Sequence, residues 1–503
     1  MTKSKRSLWG HGATLMLCSF FAKAIGALYR LPLTNLLGAE GIGRYQLVFP
    51  LYALTLALTS SAMPVLLARQ IAKEQQFGYA VFRRSLTLMA LLGGGGAALL
   101  LAAAYPVAYL QGASQLSLCY VVVAPAVLAV ALSSAFRGWM AATMHTGVLA
   151  GATLAEQVVK LSGLGFAVWF AKWGNVPAVL GALLGVSLAE IATLGWHLIA
   201  YFALGYRLPK PVVNLRLRPI WSSSLPITAC NMIMPVVAGV DSLLLVNLSV
   251  WGGMGRALAV NRYGLLTGAV GTVTNLPIVL TLAFVTLIVP IVSRAVAVRR
   301  IQEVRRHSTD VVWLVAALSL PASVGLLLMA PSVVGLLYPR LSADEQAFAV
   351  VLLRISAVSV PVIALQQVYN ALLQAVERSV TGAKQMAVGG AVKLVLDVVL
   401  VPFLGMTGAA GASVACYAVV LTLHVLSYTR LTGRYALAKP LAASMFAALC
   451  MGATVWALSR IVENNTLSVV LNVLIGGAVY AIILWCVHGA TWWHDRRASG
   501  RNV

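Results

Sequence analysis

The chain has 503 residues, of which 60% are hydrophobic and only 10% charged, and its mean hydropathy is +0.90. Soluble domains run near a quarter charged, so a water-soluble enzyme is excluded. The 36 Lys and Arg against 13 Asp and Glu give a net charge of +23, which suggests nucleic acid in a soluble protein but positively charged loops on one side in a polytopic membrane protein.

Apolar runs recur from near Thr14 to near Val487 with short polar breaks, and about 20 apolar residues suffice to span a bilayer. Lys3, Lys5 and Arg6 precede the first run, as in a signal peptide, but that run contains Lys23 and Arg30 and lacks a convincing cleavage motif, so it reads as a retained first transmembrane helix. Fourteen spans are expected, at 12–37, 45–71, 85–110, 116–141, 148–171, 177–203, 219–247, 263–292, 309–337, 347–373, 385–404, 408–429, 440–461 and 466–488. Pro32 and Gly38-Ala-Glu-Gly-Ile-Gly43 interrupt the first two, and Pro226 and Pro235 the seventh; broken helices are common where a transporter cavity forms. No length remains for a folded extramembrane domain of ordinary size.

Sorting the Lys and Arg residues by these spans places 25 on the side of the N-terminus, six on the opposite side and five within spans. A bias of this size predicts both termini in the cytoplasm. It also argues against nucleic acid, because the charge is spread over many short loops rather than gathered in one basic domain. The six cysteines lie singly in apolar segments, which supports neither a disulfide framework nor a zinc site.

Three stretches repeat in the same order. Phe136-Arg-Gly-Trp-Met-Ala-Ala142 through Val159-Lys160-Leu161 lies without gaps on Tyr369-Asn-Ala-Leu-Leu-Gln-Ala375 through Val392-Lys393-Leu394. Pro64-Val-Leu-Leu-Ala-Arg69 is similar to Pro290-Ile-Val-Ser-Arg294, and Gly181-Ala-Leu-Leu-Gly-Val-Ser187 to Gly408-Ala-Ala-Gly-Ala-Ser413. The copies sit six spans apart, so they share one orientation in the membrane. The expected architecture is all-α and polytopic, with two parallel-repeat six-helix lobes over 1–210 and 211–435, and two further helices with a cytoplasmic tail over 436–503.

Charges inside the spans are expensive and mark functional candidates. Glu156 and Lys160, and Lys393 and Asp397, are four residues apart on their helices, a spacing that allows local neutralisation. Lys23 and Arg30 are seven apart, so they share one helix face, and the first span offers no carboxylate near them. Unneutralised cations suit an anionic ligand, and an arginine presents a planar donor fork to phosphate oxygens. The alternative is pairing with Glu190 or Asp241 on neighbouring helices; those two carboxylates are themselves candidates for a coupling cation or proton, or for counter-ions of the basic face. Gly93-Gly-Gly-Gly96 lacks the Gly-Lys-Ser/Thr of a phosphate loop and reads as close helix packing. The histidines have no HExxH spacing, and no enzymatic chemistry, metal or cofactor is expected.

Lys23-Ala-Ile-Gly26 through Tyr29-Arg-Leu-Pro-Leu-Thr-Asn-Leu-Leu-Gly-Ala-Glu-Gly-Ile-Gly-Arg-Tyr-Gln46 resembles the opening of the stage V sporulation protein B and MurJ-like branch of the multidrug/oligosaccharidyl-lipid/polysaccharide exporter superfamily. Asn275-Leu-Pro-Ile-Val-Leu-Thr281, Pro290-Ile-Val-Ser-Arg294 and Tyr369-Asn-Ala-Leu-Leu-Gln-Ala375 resemble it too, and the fourteen-span plan covers essentially the whole chain. The resemblance implies flipping of undecaprenyl-pyrophosphate-linked saccharides, such as lipid II, across the bacterial cytoplasmic membrane. It implies that Lys23 and Arg30 stand at or beside the cavity arginines of the first helix. The second-helix arginine of the MurJ proteins has no counterpart at Ala53 or Leu54, and the eighth-helix arginine falls near Gly271, with Arg262 the nearest base.

A flippase is therefore expected, with Lys23, Arg30, Lys160 and Lys393 binding the pyrophosphate between rocking lobes while the prenyl tail stays among membrane lipids. Glu156, Glu190, Asp241 and Asp397 are the candidates for H+ or Na+ coupling or for counter-ions, and cell-wall synthesis proteins are candidate partners. A cation-coupled multidrug antiporter of the same fold, which would depend on the carboxylates and tolerate loss of Lys23 and Arg30, is the alternative. A non-transporting membrane scaffold is a third reading.

Overall fold

The computed structural model describes residues 18, 21–22, 24–60, 62–73, 78–207, 218–433, 438–461 and 465–499. Backbone N–H and C=O groups in hydrocarbon need partners within the protein, which an apolar chain achieves by forming helices. The described residues are mostly helical, joined by short turns, with no strand among them. Thirteen of their helices are long and apolar enough to cross a membrane. The first, Ala24–Ile71, has 48 residues, about 72 Å of helix and more than twice a hydrocarbon core of roughly 30 Å. It turns at Gly38, whose φ of 69° and ψ of 178° leave the helical region in a conformation that glycine adopts without a Cβ penalty. This one helix thus accounts for the first two expected spans, and the protein makes about fourteen crossings.

The chain divides into two compact units, Met1–Gly264 and Leu265–Val503. In the first, α1 (Arg30–Ser60), α2 (Met63–Lys73), α3 (Gly78–Leu110), α4 (Ser117–Ala142), α5 (Thr146–Lys160), α6 (Ser162–Phe170), α7 (Asn175–Ala203), α8 (Arg218–Trp251) and α9 (Arg256–Gly264) follow in order. Helix α4 packs on α3 and α7, α7 also covers α5 and α6, and α8 lies along α1. The core gathers Met63, Phe82, Phe136, Trp139 and Tyr201. The Phe82 ring stands 5.4 Å from Phe136, 4.9 Å from Trp139 and 5.6 Å from Tyr201, an aromatic cluster that adds ring contacts to area burial.

The second unit begins at a π-helical turn, Leu265–Val270, between α9 and α10 (Gly271–Ala297). It continues with α11 (Ile301–Leu328), α12 (Ala330–Leu337), α13 (Ala343–Ala357), α14 (Ser359–Ala375), α15 (Ser379–Leu404), α16 (Met406–Thr432), α17 (Ala438–Ile461) and α18 (Asn465–Ser499). Its core includes Val304, Val311, Tyr369, Leu372, Leu373 and Tyr428. Tyr369, Leu372 and Leu373 are the repeat counterparts of Phe136, Trp139 and Met140, so each duplicated stretch contributes to the core of its own unit. Helices α17 and α18 pack on each other, and α17 packs on α11.

One expected break is absent. Helix α8 runs as one helix past Pro226 and Pro235, which neighbouring groups in a bundle permit by taking up the freed carbonyls. The fifth span passes from α5 to α6 at Leu161, whose φ of −60° and ψ of −25° stay helical.

Candidate functional site

Lys160 lies in the middle of a membrane span, one residue before Leu161, where α5 passes into α6. Glycines let the chain just beyond it approach its neighbours closely. A Cβ on Gly185 of α7 would stand 2.2 Å from Gly163 Cα, and one on Gly163 would stand 2.8 Å from the Tyr29 hydroxyl. Helix α6 therefore lies directly against α7 and against Tyr29 just beyond the lysine.

Around Lys160, charge is distributed unevenly. Glu156 does not pair with the lysine four residues on. One of its oxygens accepts from Arg137 Nη2 on α4 at 3.3 Å and the other from Gln157 Nε2 at 3.1 Å. Lys160 Nζ lies 5.9 Å from the centre of the Tyr29 ring and 6.0 Å from that of Phe49. The Arg30 guanidinium sits over the same Phe49 ring at 5.4 Å. Among the described residues, neither Lys160 nor Arg30 has a carboxylate within 4 Å, so the expected alternative of Arg30 pairing with Glu190 or Asp241 is not realised. Glu190 on α7 lies in electrostatic range of Glu156, Arg137 and Lys160. Arg30, Arg137 and Lys160 against Glu156 and Glu190 leave this group one positive charge in excess. In a low dielectric such an excess attracts an anion far more strongly than it would in water. The Phe49 and Tyr29 rings stabilise the cations through their π faces without neutralising them.

The other expected residues lie elsewhere. Lys23 lies outside the described residues. Asp241 stands on α8, two residues beyond Gly239, where α8 meets Leu51 and Leu54 of α1. In the second unit, Lys393 Nζ donates to Asp397 Oδ2 at 2.6 Å, and both residues are buried. The local neutralisation expected of both i,i+4 pairs is thus realised in one and absent in the other.

Arg137 was not among the residues that the sequence singled out, because it lies near the end of its span and sorts with the loop cations. Its signal was its neighbourhood: it precedes by 19 residues an intramembrane glutamate on the next span. Phe49 and Tyr29 carried no signal, since aromatic residues in apolar helices are ordinary.

Residues 8–296 match the family described as polysaccharide biosynthesis protein. The chain belongs to this family. Among curated relatives of the chain, the uncharacterized membrane protein YabM of Bacillus subtilis (strain 168) is 25% identical over 438 residues, 83% of this chain and 79% of that protein. Stage V sporulation protein B of the same organism is 23% identical over 432 residues, covering 83% and 82% of the two chains. The lipid II flippase MurJ, again of Bacillus subtilis (strain 168), is 22% identical over 514 residues, covering 94% and 93%. The fold is that of a lipid II flippase MurJ solved in an inward closed conformation, with TM-score 0.74, 12% identity and coverage of 96% of this chain and 99% of that one. An inward-facing multidrug resistance MATE family transporter of the MOP superfamily shares it, with TM-score 0.68, 17% identity and coverage of 82% and 94%. The chain is thus a multi-pass membrane protein that shares its fold with the MurJ and MATE structures.

Proposed function

We propose that the protein is a flippase that moves an undecaprenyl-pyrophosphate-linked saccharide, lipid II or a related cell-wall or polysaccharide precursor, across the bacterial cytoplasmic membrane by alternating access. Both termini then lie in the cytoplasm. The observation that carries this reading is the pair of cations, Arg30 and Lys160, sharing the Phe49 ring without a carboxylate partner among the described residues. Arg30 and Lys160, joined by Lys23, bind the pyrophosphate; the prenyl tail remains in lipid, and no covalent bond changes. Glu190, close to both signs of charge, is the first candidate for coupling to H+ or Na+, with Asp241 the second. Lys393 and Asp397 neutralise each other and have a structural part. Cell-wall synthesis proteins that deliver or consume the lipid are the natural partners.

A cation-coupled multidrug antiporter is the second reading, favoured by the likeness to the MATE transporter and by Glu190 having no ion-pair partner among the described residues. One experiment separates the two. Reconstituted in proteoliposomes, the wild-type protein moves an undecaprenyl-pyrophosphate-linked saccharide across the bilayer, and Arg30→Ala lowers the rate at least about tenfold, the effect of losing roughly 1.4 kcal/mol of contact to the phosphates. Full movement by Arg30→Ala overturns the cationic site. No movement by folded wild-type protein, with Glu190-dependent export of a cationic dye, establishes the antiporter instead.

A further inference from the structure

The two units carry the same lysine in different electrostatic settings. Lys160 and Lys393 are repeat counterparts, yet Lys393 is held by Asp397 at 2.6 Å while Lys160 has no carboxylate within 4 Å among the described residues. Three further positions of the same ungapped repeat differ. Arg137 corresponds to Asn370, Glu156 to Gly389, and Leu164 to Asp397. In the second unit, where Asn370 stands in place of Arg137 and a carboxylate lies one turn away, the lysine and the carboxylate pair. The first unit also has a carboxylate one turn away, and its order along the helix, Glu preceding Lys by four, is the more favourable one for pairing. Here the pair does not form: Arg137 and Gln157 each donate to one oxygen of Glu156.

We propose that Arg137 is a positioning residue whose role is to hold Glu156 away from Lys160 and so keep the lysine available to an anionic group. The inference rests on the anion-binding reading above and extends it from the residues that touch the ligand to the one that sets their charge. An arginine suits this role because it stays charged and can hold a carboxylate through directed N–H donors. Without it, Glu156 pairs with Lys160, the group of cations falls to Arg30 alone, and the site resembles the neutralised one around Lys393. Glu190 is the other acidic group in electrostatic range of Lys160, and it is carried by α7 rather than by the lysine's own helix.

The test uses the full-length protein in detergent, with inorganic pyrophosphate as the probe and a second readout at Lys160 itself. That second readout is the rate of reductive methylation of Lys160 by formaldehyde and borohydride, followed by mass spectrometry, since an ion-paired ammonium is methylated more slowly than an unpaired one. Arg137→Ala is expected to bind pyrophosphate about tenfold more weakly, equivalent to about 1.4 kcal/mol, and to slow methylation of Lys160. Arg137→Lys retains both properties, because a lysine can still hold Glu156. The double variant Arg137→Ala/Glu156→Gln recovers both, because the competing carboxylate is gone. A double variant that stays as impaired as Arg137→Ala overturns the proposal and makes Arg137 a direct ligand or a purely structural residue. An Arg137→Ala variant with unchanged binding and methylation also overturns it. Should Arg137→Ala fail to fold, Glu156→Gln decides alone: Lys160 must be methylated at least as fast as in the wild type, and slower methylation refutes the proposal. Wild-type protein that binds no pyrophosphate refutes the anion-binding reading, whereas the methylation series still reports on the role of Arg137.

Discussion

Adding one methyl group at Gly185 tests how tightly α6 is held against α7 just beyond Lys160. An alanine Cβ there would lie 2.2 Å from Gly163 Cα and 2.4 Å from Gly163 N. Carbon atoms in contact prefer roughly 3.5–4.0 Å, so α6 and α7 must part by more than an ångström locally. Both atoms that the methyl meets are backbone, which no rotamer change can move aside. Overpacking of this kind costs about 1–3 kcal/mol. At roughly 2–4 °C per kcal/mol, the scale for domains of 150–250 residues, Gly185→Ala should melt several degrees below the wild type. Thermal unfolding of detergent-solubilised protein, followed by tryptophan fluorescence, measures this. Gly195→Ala on the same helix is the control, since nothing lies within 4 Å of its Cβ. It should melt at or above the wild-type temperature, because alanine is favoured over glycine in a helix by up to about 1 kcal/mol. Because Gly163 follows Lys160 by three residues, Gly185→Ala should also weaken pyrophosphate binding. A Gly185→Ala protein that melts with the wild type, or a Gly195→Ala protein that falls equally far, would refute the close-packing argument.

Asp397→Asn removes the carboxylate that faces buried Lys393 at 2.6 Å and should cost about 3–5 kcal/mol in the same unfolding assay. Lys393→Met/Asp397→Leu, which removes both charges together, should recover most of that loss; equal destabilisation of the single and double variants would show that the pair is not the reason. In Tyr338→Phe the buried hydroxyl that donates to the Ala269 carbonyl at 2.8 Å is lost, next to the π-helical turn. A loss of about 0.5–1.5 kcal/mol is expected by chemical denaturation, and an unchanged midpoint would mean that water replaces the hydroxyl.

Much of the fold was legible in the sequence because bilayer thickness imposes a length on every apolar run. Boundaries near Leu110, Ala203 and Leu404 agree with helix ends to within a few residues for this reason. The repeat gave a guide to burial as well: Phe136 and Tyr369, paired by sequence similarity alone, are each buried in the core of their own unit. Proline placement was a poorer guide. Helix α8 passes Pro226 and Pro235 unbroken, whereas the close approach of α6 to α7 comes from Gly163 and Gly185, residues 22 apart in the chain.

The sequence by itself determined which side chains carry charge inside the membrane, since any ionisable residue in an apolar span stands out against its neighbours. It also limited each lysine to the partners that helix spacing allows. Only the tertiary structure decided which partner each one takes. Glu156 precedes Lys160 by the same four residues that separate Lys393 from Asp397, yet only the second pair forms. The deciding group, Arg137, comes from a different helix, and helix periodicity relates residues along one helix without specifying which faces of two helices meet.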